Sequence, residues 1–480
     1  MSFLAIICII YGIKEQNMLT MLNFLPEKQN KIFFCGMAGA SMSALAALTV
    51  SCGRTALGSD VSPTEEAIRL FSERGITLYK EHKESNVFGC DALVYSAAVR
   101  HDNPELLYAR KHNIPIYTRS RYLGLIASGF PISVAVAGTH GKSTVTHMLA
   151  CASEQAGASP TVLAGARAVS DGSAYRLGTG ETFICEACEY NRSFLDVTPT
   201  LAVILNVERE HTDTYPTLAS AEDAYFEFAK KSKVCILSHD CPSCKRIEKR
   251  LRAVGVTTFS FSLYNRKADA YCEAVEPVTA KTSVTAKIFG ETLTFTLRLV
   301  GEHNAANALA TLLCAKALGY SKSAAKAGLE AFKGIKRRLE YIGTANGADV
   351  YDDYAHHPTE IRATLKAVKQ LGYERIICAF QPHTYSRTSE FFDGFAKAFD
   401  GCCEVIFADI YAAREKNVYG VTSKALAAAT PNGIYLKNSD DIKSRLLQKA
   451  EKGTLILTMG AGRMNEIAYA LTQNATKGKD

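Results

Sequence analysis

The sequence predicts an α/β protein of three domains, and two observations lead to this prediction. Short buried strands, glycine turns and helices follow one another along most of the chain, which is the α/β pattern. The length of 480 residues suits about three domains. We assign an extension outside the fold to residues 1–22 and the domains to residues 23–131, 132–331 and 332–480.

The composition indicates a soluble globular protein that acts on small molecules. Hydrophobic residues make up 47% of the chain and charged residues 21%. The net charge of +7 arises from scattered residues, 55 basic and 48 acidic, so no nucleic-acid-binding arm is predicted, whereas small anionic substrates fit. The apolar run from Phe3 to Tyr11 is too short to span a bilayer and lacks a preceding basic residue, which predicts neither membrane insertion nor a signal peptide.

The 15 cysteines are scattered, often within apolar strands, and are expected to be reduced core residues of a cytoplasmic protein. Cys241 and Cys244, in Cys-Pro-Ser-Cys, have a metal-like spacing. We expect a surface turn here and neither zinc nor redox chemistry.

The first domain opens with a strand, a glycine turn and a helix. Gly36 and Gly39 lie in the turn, and Asp60 follows the next strand, at the ribose-binding distance of a dinucleotide fold. However, Ala38 and Ser41 occupy positions where further glycines are expected. The loop therefore permits binding of a nucleotide diphosphate and does not identify NAD.

The central domain opens with the strand Val134–Ala137, a tight loop from Gly138 to Gly141, and a helix from Lys142. Backbone N–H groups at such a helix start bind phosphate, the lysine adds positive charge, and the hydroxyl of Ser143 can hold Mg²⁺. Only two residues separate the glycines, where the standard phosphate loop has four, which favours a narrower class of nucleotide-binding loop. The alternative is an ordinary strand-to-helix turn with an incidental lysine.

Two further strands of this domain end in metal-binding side chains. One strand ends at Glu186, and the other leads to His211. Because the carboxyl ends of parallel strands share one edge of a sheet, these side chains are expected to meet Ser143 there, as Mg²⁺ ligands beside ATP phosphates. Either residue alone would be read as an ordinary loop residue.

Later in the domain, His303 and Asn304 open a helix that carries Asn307 on its first turns. Short polar side chains at this place either cap the helix or contact an adenine edge, and taken alone the spacing favours capping.

The third domain repeats the strand-and-helix pattern, with strands predicted at Asp349–Asp353, Ile376–Phe380, Glu404–Ala408 and Thr454–Met459. Polar side chains follow all four strands, which is typical of a substrate-binding edge of a sheet.

Five segments resemble the Mur ligase family: AGTHGKST (137–144), GEHNAANALA (301–310), YDDYAHHPTEI (351–361), FQPHTYSRT (380–388) and DIYAARE (409–415). The last three resemble the members that add alanine, and the resemblance covers nearly the whole chain from Lys31. It implies a Rossmann-like UDP-binding domain, a central domain like the P-loop ATPases and a Rossmann-like third domain that brings the amino acid. It also implies ATP-dependent ligation of L-alanine to the carboxylate of UDP-N-acetylmuramate through an acyl phosphate, in peptidoglycan precursor synthesis.

The resemblance also implies roles for individual residues. ATP would contact Gly138, Thr139, His140, Gly141, Lys142, Ser143, Thr144, His303, Asn304, Asn307, Arg338 and Asp352. Mg²⁺ would bind Ser143, Glu186 and His211, with Glu186 shared by two ions. The UDP substrate would contact Gly36, Gly39 and Asp60, and the amino acid His357, His383 and Arg387. Catalysis would depend on Lys142, His211, His357 and Arg387.

Several positions depart from the family pattern. Ser143 replaces a threonine and keeps the hydroxyl, and EACEYN stands where EADESD is usual, which keeps Glu186 and Glu189. NVEREHTD keeps the histidine of NIEADHMD. Thr384 stands where many members have arginine, which leaves Arg387 as the carboxylate partner.

Two alternatives to an alanine ligase remain at the level of sequence, and a third is rejected. A recycling ligase attaches a tripeptide to the same sugar, although FQPHTYSRT favours free alanine. An inactive homologue would only bind UDP-N-acetylmuramate, although the retained Lys142, Glu186 and His211 argue against it. A nicotinamide dehydrogenase does not fit the degenerate first loop and the second nucleotide site. For the oligomeric state we expect a monomer or a weak homodimer.

Overall fold

The computed structural model describes residues 29–413 and 415–473, so the extension expected at residues 1–22 lies outside the described residues. The strands form three sheets, which confirms the predicted α/β fold. The chain packs as two compact units. The first contains the described chain up to Ala274 with residues 284–295 and 306–332, and the second contains residues 275–283, 296–305 and those from Lys333 onward.

The first sheet has five parallel strands in the order β3-β2-β1-β4-β5. Their bounds are Lys31–Cys35 (β1), Thr55–Ser59 (β2), Thr77–Tyr79 (β3), Ala92–Tyr95 (β4) and Ile116–Thr118 (β5). The helices between them are Ala40–Ser51 (α1), Glu65–Glu73 (α2), Pro104–Lys111 (α3) and Arg119–Ser128 (α4), with a 3-10 turn at Glu84–Val87.

The second sheet has the order β15-β14-β13-β12-β11-β10-β6-β9-β7-β8. Its strands are Ile132–Ala137 (β6), Thr161–Leu163 (β7), Tyr175–Arg176 (β8), Thr182–Glu186 (β9), Leu201–Ile204 (β10), Val234–Ser238 (β11), Thr257–Ser262 (β12), Ala270–Val278 (β13), Lys281–Ile288 (β14) and Glu291–Leu297 (β15). The helices are Lys142–Gln155 (α5), Leu218–Ala229 (α6), Pro242–Ala253 (α7), Glu302–Ala317 (α8) and Lys322–Ala331 (α9), with a 3-10 segment at Tyr190–Asp196. Every residue of β6 is buried, and β6 lies between β9 and β10 in parallel, as the sequence predicts.

The third sheet has the order β16-β17-β21-β18-β19-β20, and only β16 is antiparallel to its neighbour. Its strands are Glu340–Ala345 (β16), Ala348–Asp353 (β17), Arg375–Phe380 (β18), Glu404–Phe407 (β19), Gly433–Tyr435 (β20) and Thr454–Met459 (β21). The helices are Pro358–Lys369 (α10), Tyr385–Glu390 (α11), Phe392–Ala396 (α12), Ser423–Ala429 (α13), Ser439–Lys449 (α14) and Met464–Thr472 (α15). The four strands expected to end in polar side chains are therefore neighbours.

The cysteines of the described range are free, and those predicted to lie in the core are buried: Cys35, Cys185, Cys235 and Cys378. The prediction of a surface turn at Cys241-Pro-Ser-Cys244 is wrong, because Cys241 precedes the first residue of α7 and Pro242 begins the helix. Proline fits this first helical position, since its fixed φ suits the helix and its missing N–H would have no intrahelical partner. None of the helices in the described ranges is both long and apolar enough to cross a membrane.

Candidate active site

The loop between β6 and α5 depends on two glycines. Gly138 has a φ of 144° and Gly141 a φ of 87°, both in the region that side chains disfavour. A Cβ at Gly138 would lie 3.0 Å from the Cβ of Leu205, and one at Gly141 would lie 2.7 Å from Oδ1 of Asn307. Glycine is therefore required at both positions for geometric reasons, and Asn307 lies against the loop.

Asn206, just beyond β10, holds the loop in place. Its Oδ1 accepts a hydrogen bond from the backbone N–H of His140 at 2.8 Å, and its Nδ2 donates to the carbonyl oxygen of the same residue at 3.1 Å. The backbone N–H of Thr139 donates to the carbonyl oxygen of Asn206 at 3.1 Å. The Oγ1 of Thr139 accepts from the backbone N–H of Glu208 at 2.9 Å. These bonds fix the path of the loop to the strand beside it.

Lys142, the first residue of α5, directs its ammonium back into the loop. Nζ donates to the carbonyl oxygens of Gly138 at 2.6 Å and Thr139 at 3.2 Å, and it lies 3.1 Å from Oε1 of Glu189. Burial opposes the charge of this ammonium, but the attraction of Glu189 and Glu186 outweighs burial and raises the pKa of Lys142. The side chain is therefore a fixed positive charge at the helix start.

Glu189 is the anionic partner of both Lys142 and His211. Burial opposes ionisation of this carboxyl group, yet Lys142 and His211 together lower its pKa to about 2. Nε2 of His211 lies 3.6 Å from Oε1 of Glu189. The other oxygen, Oε2, is buried and has no hydrogen-bond partner among the described residues. An ionised, buried oxygen without a donor is a suitable ligand for a cation.

A second group of oxygen ligands lies at the end of β9. Oγ of Ser143 donates to Oε2 of Glu186 at 2.5 Å, and the N–H of Gly165 donates to the same oxygen at 2.8 Å. Ligand atoms of Glu189, Glu210 and His211 also lie within 4.8 Å of one another. Carboxylate and hydroxyl oxygens are the donors that Mg²⁺ prefers, so these residues fit a magnesium site. His211 lies against Glu189, whereas Ser143 lies against Glu186.

The ionised state of Glu189 predicts a specific acid sensitivity. Its pKa is about 2 in the folded protein, below the usual value of 4.5 for a glutamate, so its ionisation stabilises the fold above pH 4.5. This contribution is lost as the pH falls from 4.5 toward 2. Between pH 5 and pH 3 the wild-type protein should therefore lose on the order of 1–2 kcal/mol more unfolding free energy than Glu189→Gln.

Urea unfolding at the two pH values measures this difference. Replacement of the exposed Glu65 by glutamine is the matched control, because it removes a carboxylate from the surface and should leave the pH dependence of the wild type unchanged. Equal pH dependence in wild type and Glu189→Gln would contradict the assignment.

The other nucleotide-side residues occupy the first turns of α5 and α8. Thr144 is buried in the first turn of α5. Asn304 is buried, and its Nδ2 donates to the carbonyl oxygen of Val300 at 2.8 Å. This side-chain amide therefore forms a hydrogen bond with the backbone just before α8. His303 is exposed.

In the first sheet, Asp60 supports the glycine turn. Oδ2 of Asp60 accepts from the N–H of Ala38 at 2.9 Å, and Gly36, at φ 75°, donates its N–H to the carbonyl oxygen of Ser59 at 2.9 Å. Gly39 directly precedes the 12-residue helix α1. The three predicted residues thus form one loop at the carboxyl ends of β1 and β2, where a helix start offers N–H groups to an anion.

In the second unit, the two neighbouring arginines have different partners. Nη1 of Arg338 lies 3.1 Å from Oε1 of Glu360. Nε of Arg337 lies 3.0 Å from Oδ2 of Asp352, whose Oδ1 accepts from Thr458 at 2.6 Å. Asp352 is fully buried, so it has no accessible surface for a ligand and fixes the position of Arg337.

The residues predicted to receive the amino acid lie on α10 and around α11. Nδ1 of His357 accepts from the N–H of Thr359 at 3.3 Å and so caps α10. Nδ1 of His383 and Nη1 of Arg387 are 3.1 Å apart, and the His383 ring stacks on Tyr411 with centroids 5.7 Å apart. His383 and Arg387 thus form one group that combines positive charge with an aromatic wall.

Three residues that the sequence did not assign have direct roles in this geometry. Glu189 pairs with Lys142, Asn206 holds the phosphate loop, and Arg337 forms an ion pair with Asp352. The sequence signal for Asn206 is its position just after a strand end, and Glu189 has in addition its place in EACEYN, which keeps an acid of the family motif.

Family models match three parts of the chain. Residues 31–131 match the Mur ligase family catalytic domain, residues 136–315 the Mur ligase middle domain, and residues 337–462 the Mur ligase glutamate ligase domain.

The similar proteins are of nearly the same length. UDP-N-acetylmuramate–L-alanine ligase of Caldicellulosiruptor bescii is 36% identical over 455 residues, which cover 93% of this chain and 99% of that protein. The ligase of the same name from Acetivibrio thermocellus is 38% identical, with 92% and 95% covered. Among solved structures, UDP-N-acetylmuramate–alanine ligase from Thermotoga maritima is 26% identical in sequence, with a TM-score of 0.78. The match covers 94% of this chain and 100% of that chain.

Proposed function

The chain belongs to the Mur ligase family, and on this premise we propose that the protein joins L-alanine to the carboxylate of UDP-N-acetylmuramate with cleavage of ATP, a step of peptidoglycan precursor synthesis. The observation that carries the proposal is similarity to the alanine ligases along more than nine-tenths of the chain. The cluster around Lys142 supports it, because that cluster combines a phosphate-binding helix start with cation ligands.

The reaction has two chemical steps. The muramate carboxylate attacks the γ-phosphorus of ATP, which yields ADP and an acyl phosphate. The amine of alanine then attacks the activated carbonyl carbon, and inorganic phosphate leaves. In the first step negative charge spreads over the transferred phosphoryl group, so positioning and positive charge supply most of the catalysis.

We assign the loop lysine to the transferred phosphoryl group. The ammonium of Lys142 is bound by the carbonyl oxygens of Gly138 and Thr139 and by Glu189. To bind phosphate it exchanges some of these acceptors for phosphate oxygens, and Glu189 keeps it charged and close to the loop. The same ammonium then stabilises the acyl phosphate.

Mg²⁺ is proposed to bind Ser143 and Glu186, with a second position at Glu186, Glu189 and His211. When bound, the ion neutralises phosphate charge and orients the oxygens for transfer. The protein supplies fixed ligands for it. Glu189 stays ionised because Lys142 and His211 lower its pKa, and its Oε2 is buried without a hydrogen-bond partner among the described residues.

The remaining roles follow from the chemistry of the substrates. Gly36, Gly39 and Asp60 form a loop that suits the diphosphate of UDP, and Asn307, Asn304 and His303 are assigned to adenine. His357, His383 and Arg387 are assigned to alanine, since a guanidinium pairs well with a carboxylate. Arg338 is assigned to ATP, with Asp352 acting through Arg337. We further propose a cytoplasmic monomer or weak homodimer; free thiols suit a reducing compartment.

Phosphate release tests the proposal. The full-length protein is incubated with ATP, Mg²⁺ and UDP-N-acetylmuramate, and with single amino acids or the recycled tripeptide. We expect rapid release with alanine and slower release with glycine or serine, because one methyl or hydroxyl group changes binding by only about 1–3 kcal/mol.

The outcomes separate the candidate functions. Release only with the tripeptide would assign the recycling reaction. No release with any acceptor, although UDP-N-acetylmuramate binds in calorimetry, would leave an inactive binding homologue and refute the ligase.

A further inference from the structure

Two cysteines at the start of α7 have no part in the proposed reaction. Cys241 precedes the helix, and Cys244 lies in its first turn; both follow the buried strand β11. Cys244 is fully buried, whereas Cys241 is half-buried. The position before a helix usually has a side-chain oxygen that caps the first N–H groups, and Cys241 makes no such side-chain bond. Helix capping therefore does not explain this cysteine.

The two thiols are arranged so that they can join. Residues three apart at a helix start have Cα atoms roughly 5 Å apart, within the range that a disulfide spans. The interaction between the two thiols lowers the pKa of Cys241 and raises that of Cys244. Each sulfur also lies 3.9 Å from a backbone carbonyl oxygen, that of Val207 for Cys241 and that of Ile204 for Cys244.

The pKa values of the two thiols are shifted in opposite directions, as thiol exchange requires. The hydrogen bond from Cys244 outweighs the effect of burial and, with backbone N–H groups of the helix start, lowers the pKa of Cys241 to about 6. Burial raises the pKa of Cys244 well above its usual range. At neutral pH, Cys241 is then largely a thiolate, and Cys244 keeps its proton.

We propose that Cys241 and Cys244 form a redox-active dithiol that is oxidised to an internal disulfide by small-molecule disulfides. The Cys241 thiolate attacks one sulfur of the small disulfide, a mixed disulfide forms, and one small thiolate leaves. Cys244 then loses its proton to that thiolate or to solvent and attacks the Cys241 sulfur, which releases the second small thiol. The protein loses two electrons and two protons, and the small disulfide is reduced to two thiols.

Cys185 and Cys188 have the same spacing, but burial raises the pKa of both thiols, so neither is the thiolate that attacks. Cys378 and Cys402 also interact, but both are buried. Cys403 is exposed and serves as the matched control for accessibility without a resolving partner. The proposal concerns the dithiol alone and is independent of the ligase assignment.

The test is exchange of the full-length protein with glutathione disulfide at neutral pH, followed by mass spectrometry of the digested protein without reduction. We expect the wild type to gain a Cys241–Cys244 link and lose two hydrogens. Cys244→Ala should accumulate glutathione on Cys241, because the resolving thiol is missing. Cys403→Ala should form the link as the wild type does.

Cys241→Ala supplies a second variant at a half-buried position, where truncation costs little packing. It should form no link and take up no glutathione on Cys244. The wild-type measurement alone decides the proposal if Cys244→Ala does not fold. A wild-type protein that remains unlinked at residues 241 and 244 while Cys403 gains glutathione would overturn the proposal.

Discussion

Replacement of Lys142 by alanine is expected to lower the turnover number by at least about a thousandfold, because the transferring phosphoryl group loses the ammonium that we assign to it. The ammonium is fixed at the start of α5 by two loop carbonyl oxygens and Glu189, so no other described lysine occupies its place in the loop. A loss of this size corresponds to roughly 4 kcal/mol of transition-state stabilisation.

The same replacement should also lower stability, since it leaves Glu189 buried beside His211 alone. Removing one partner of a buried ion pair costs roughly 3–5 kcal/mol when the other stays charged. The double variant Lys142→Ala with Glu189→Gln removes both charges and should recover much of this stability without recovering turnover. The comparison therefore separates the role of the lysine in catalysis from its role in folding.

Phosphate release and urea unfolding of the single and double variants measure the two effects. Near-normal turnover in Lys142→Ala, with all substrates saturating, would refute the role given to this residue. Turnover that returns in the double variant would show that the lysine acts only through the fold.

The strand ends could be predicted from the sequence because the signals are local. Apolar runs such as Val134–Ala137 and Leu201–Ile204 predict buried strands, and parallel strands have their carboxyl ends at one edge. The sheet order β10-β6-β9 confirms that the strands leading to Glu186 and His211 flank the strand before the phosphate loop. The α/β fold followed from the same reasoning.

The pairing of Glu189 with Lys142 could not be predicted in this way. Glu189 lies three residues after β9, where Asn191 and Arg192 adopt positive φ values of 51° and 56°. Such a turn is selected by tertiary contacts, and no residue pattern predicts where it directs a carboxylate. His211 itself has a φ of 53°, so its position beside Glu189 depends equally on irregular backbone.

The neighbouring arginines illustrate the same limit. Arg337 and Arg338 are chemically identical, and the sequence does not say which of them pairs with Asp352. In the structure Arg337 has a φ of 61° and binds Asp352, while Arg338 pairs with Glu360. Leu339, on the other side of Arg338, also has a positive φ of 47°, so the two side chains leave an irregular stretch of backbone toward different partners.

Replacement of Gly141 by alanine is expected to lower turnover by about a hundredfold, because it displaces the loop that positions the phosphates. The new Cβ would lie 2.7 Å from Oδ1 of Asn307 and 3.1 Å from Cδ1 of Leu205. Asn307 and Leu205 are buried, so the loop or the helix start has to move to relieve the contact. Movement of even about 1 Å at this position misplaces the ammonium of Lys142, the next residue.

Gly157, at the other end of α5, provides the matched control. It has a similar φ, 75°, but a Cβ there would meet no atom within 4 Å. Both alanine variants therefore share the backbone strain of the left-handed region, about 1–2 kcal/mol, and only Gly141→Ala adds the collision. Gly157→Ala should lose stability while its turnover stays within about twofold of the wild type.

Turnover, the KM for ATP and urea unfolding of both variants test this difference. Gly141→Ala should raise the KM for ATP and lower turnover beyond what its loss of stability explains, since the folded fraction stays close to one at 25 °C. Equal turnover in the two variants would mean that strain alone matters and that the close approach of Asn307 and Leu205 does not shape the loop. The kinetic comparison therefore tests directly whether the contact between a Cβ at position 141 and the side chains of Asn307 and Leu205 displaces the loop.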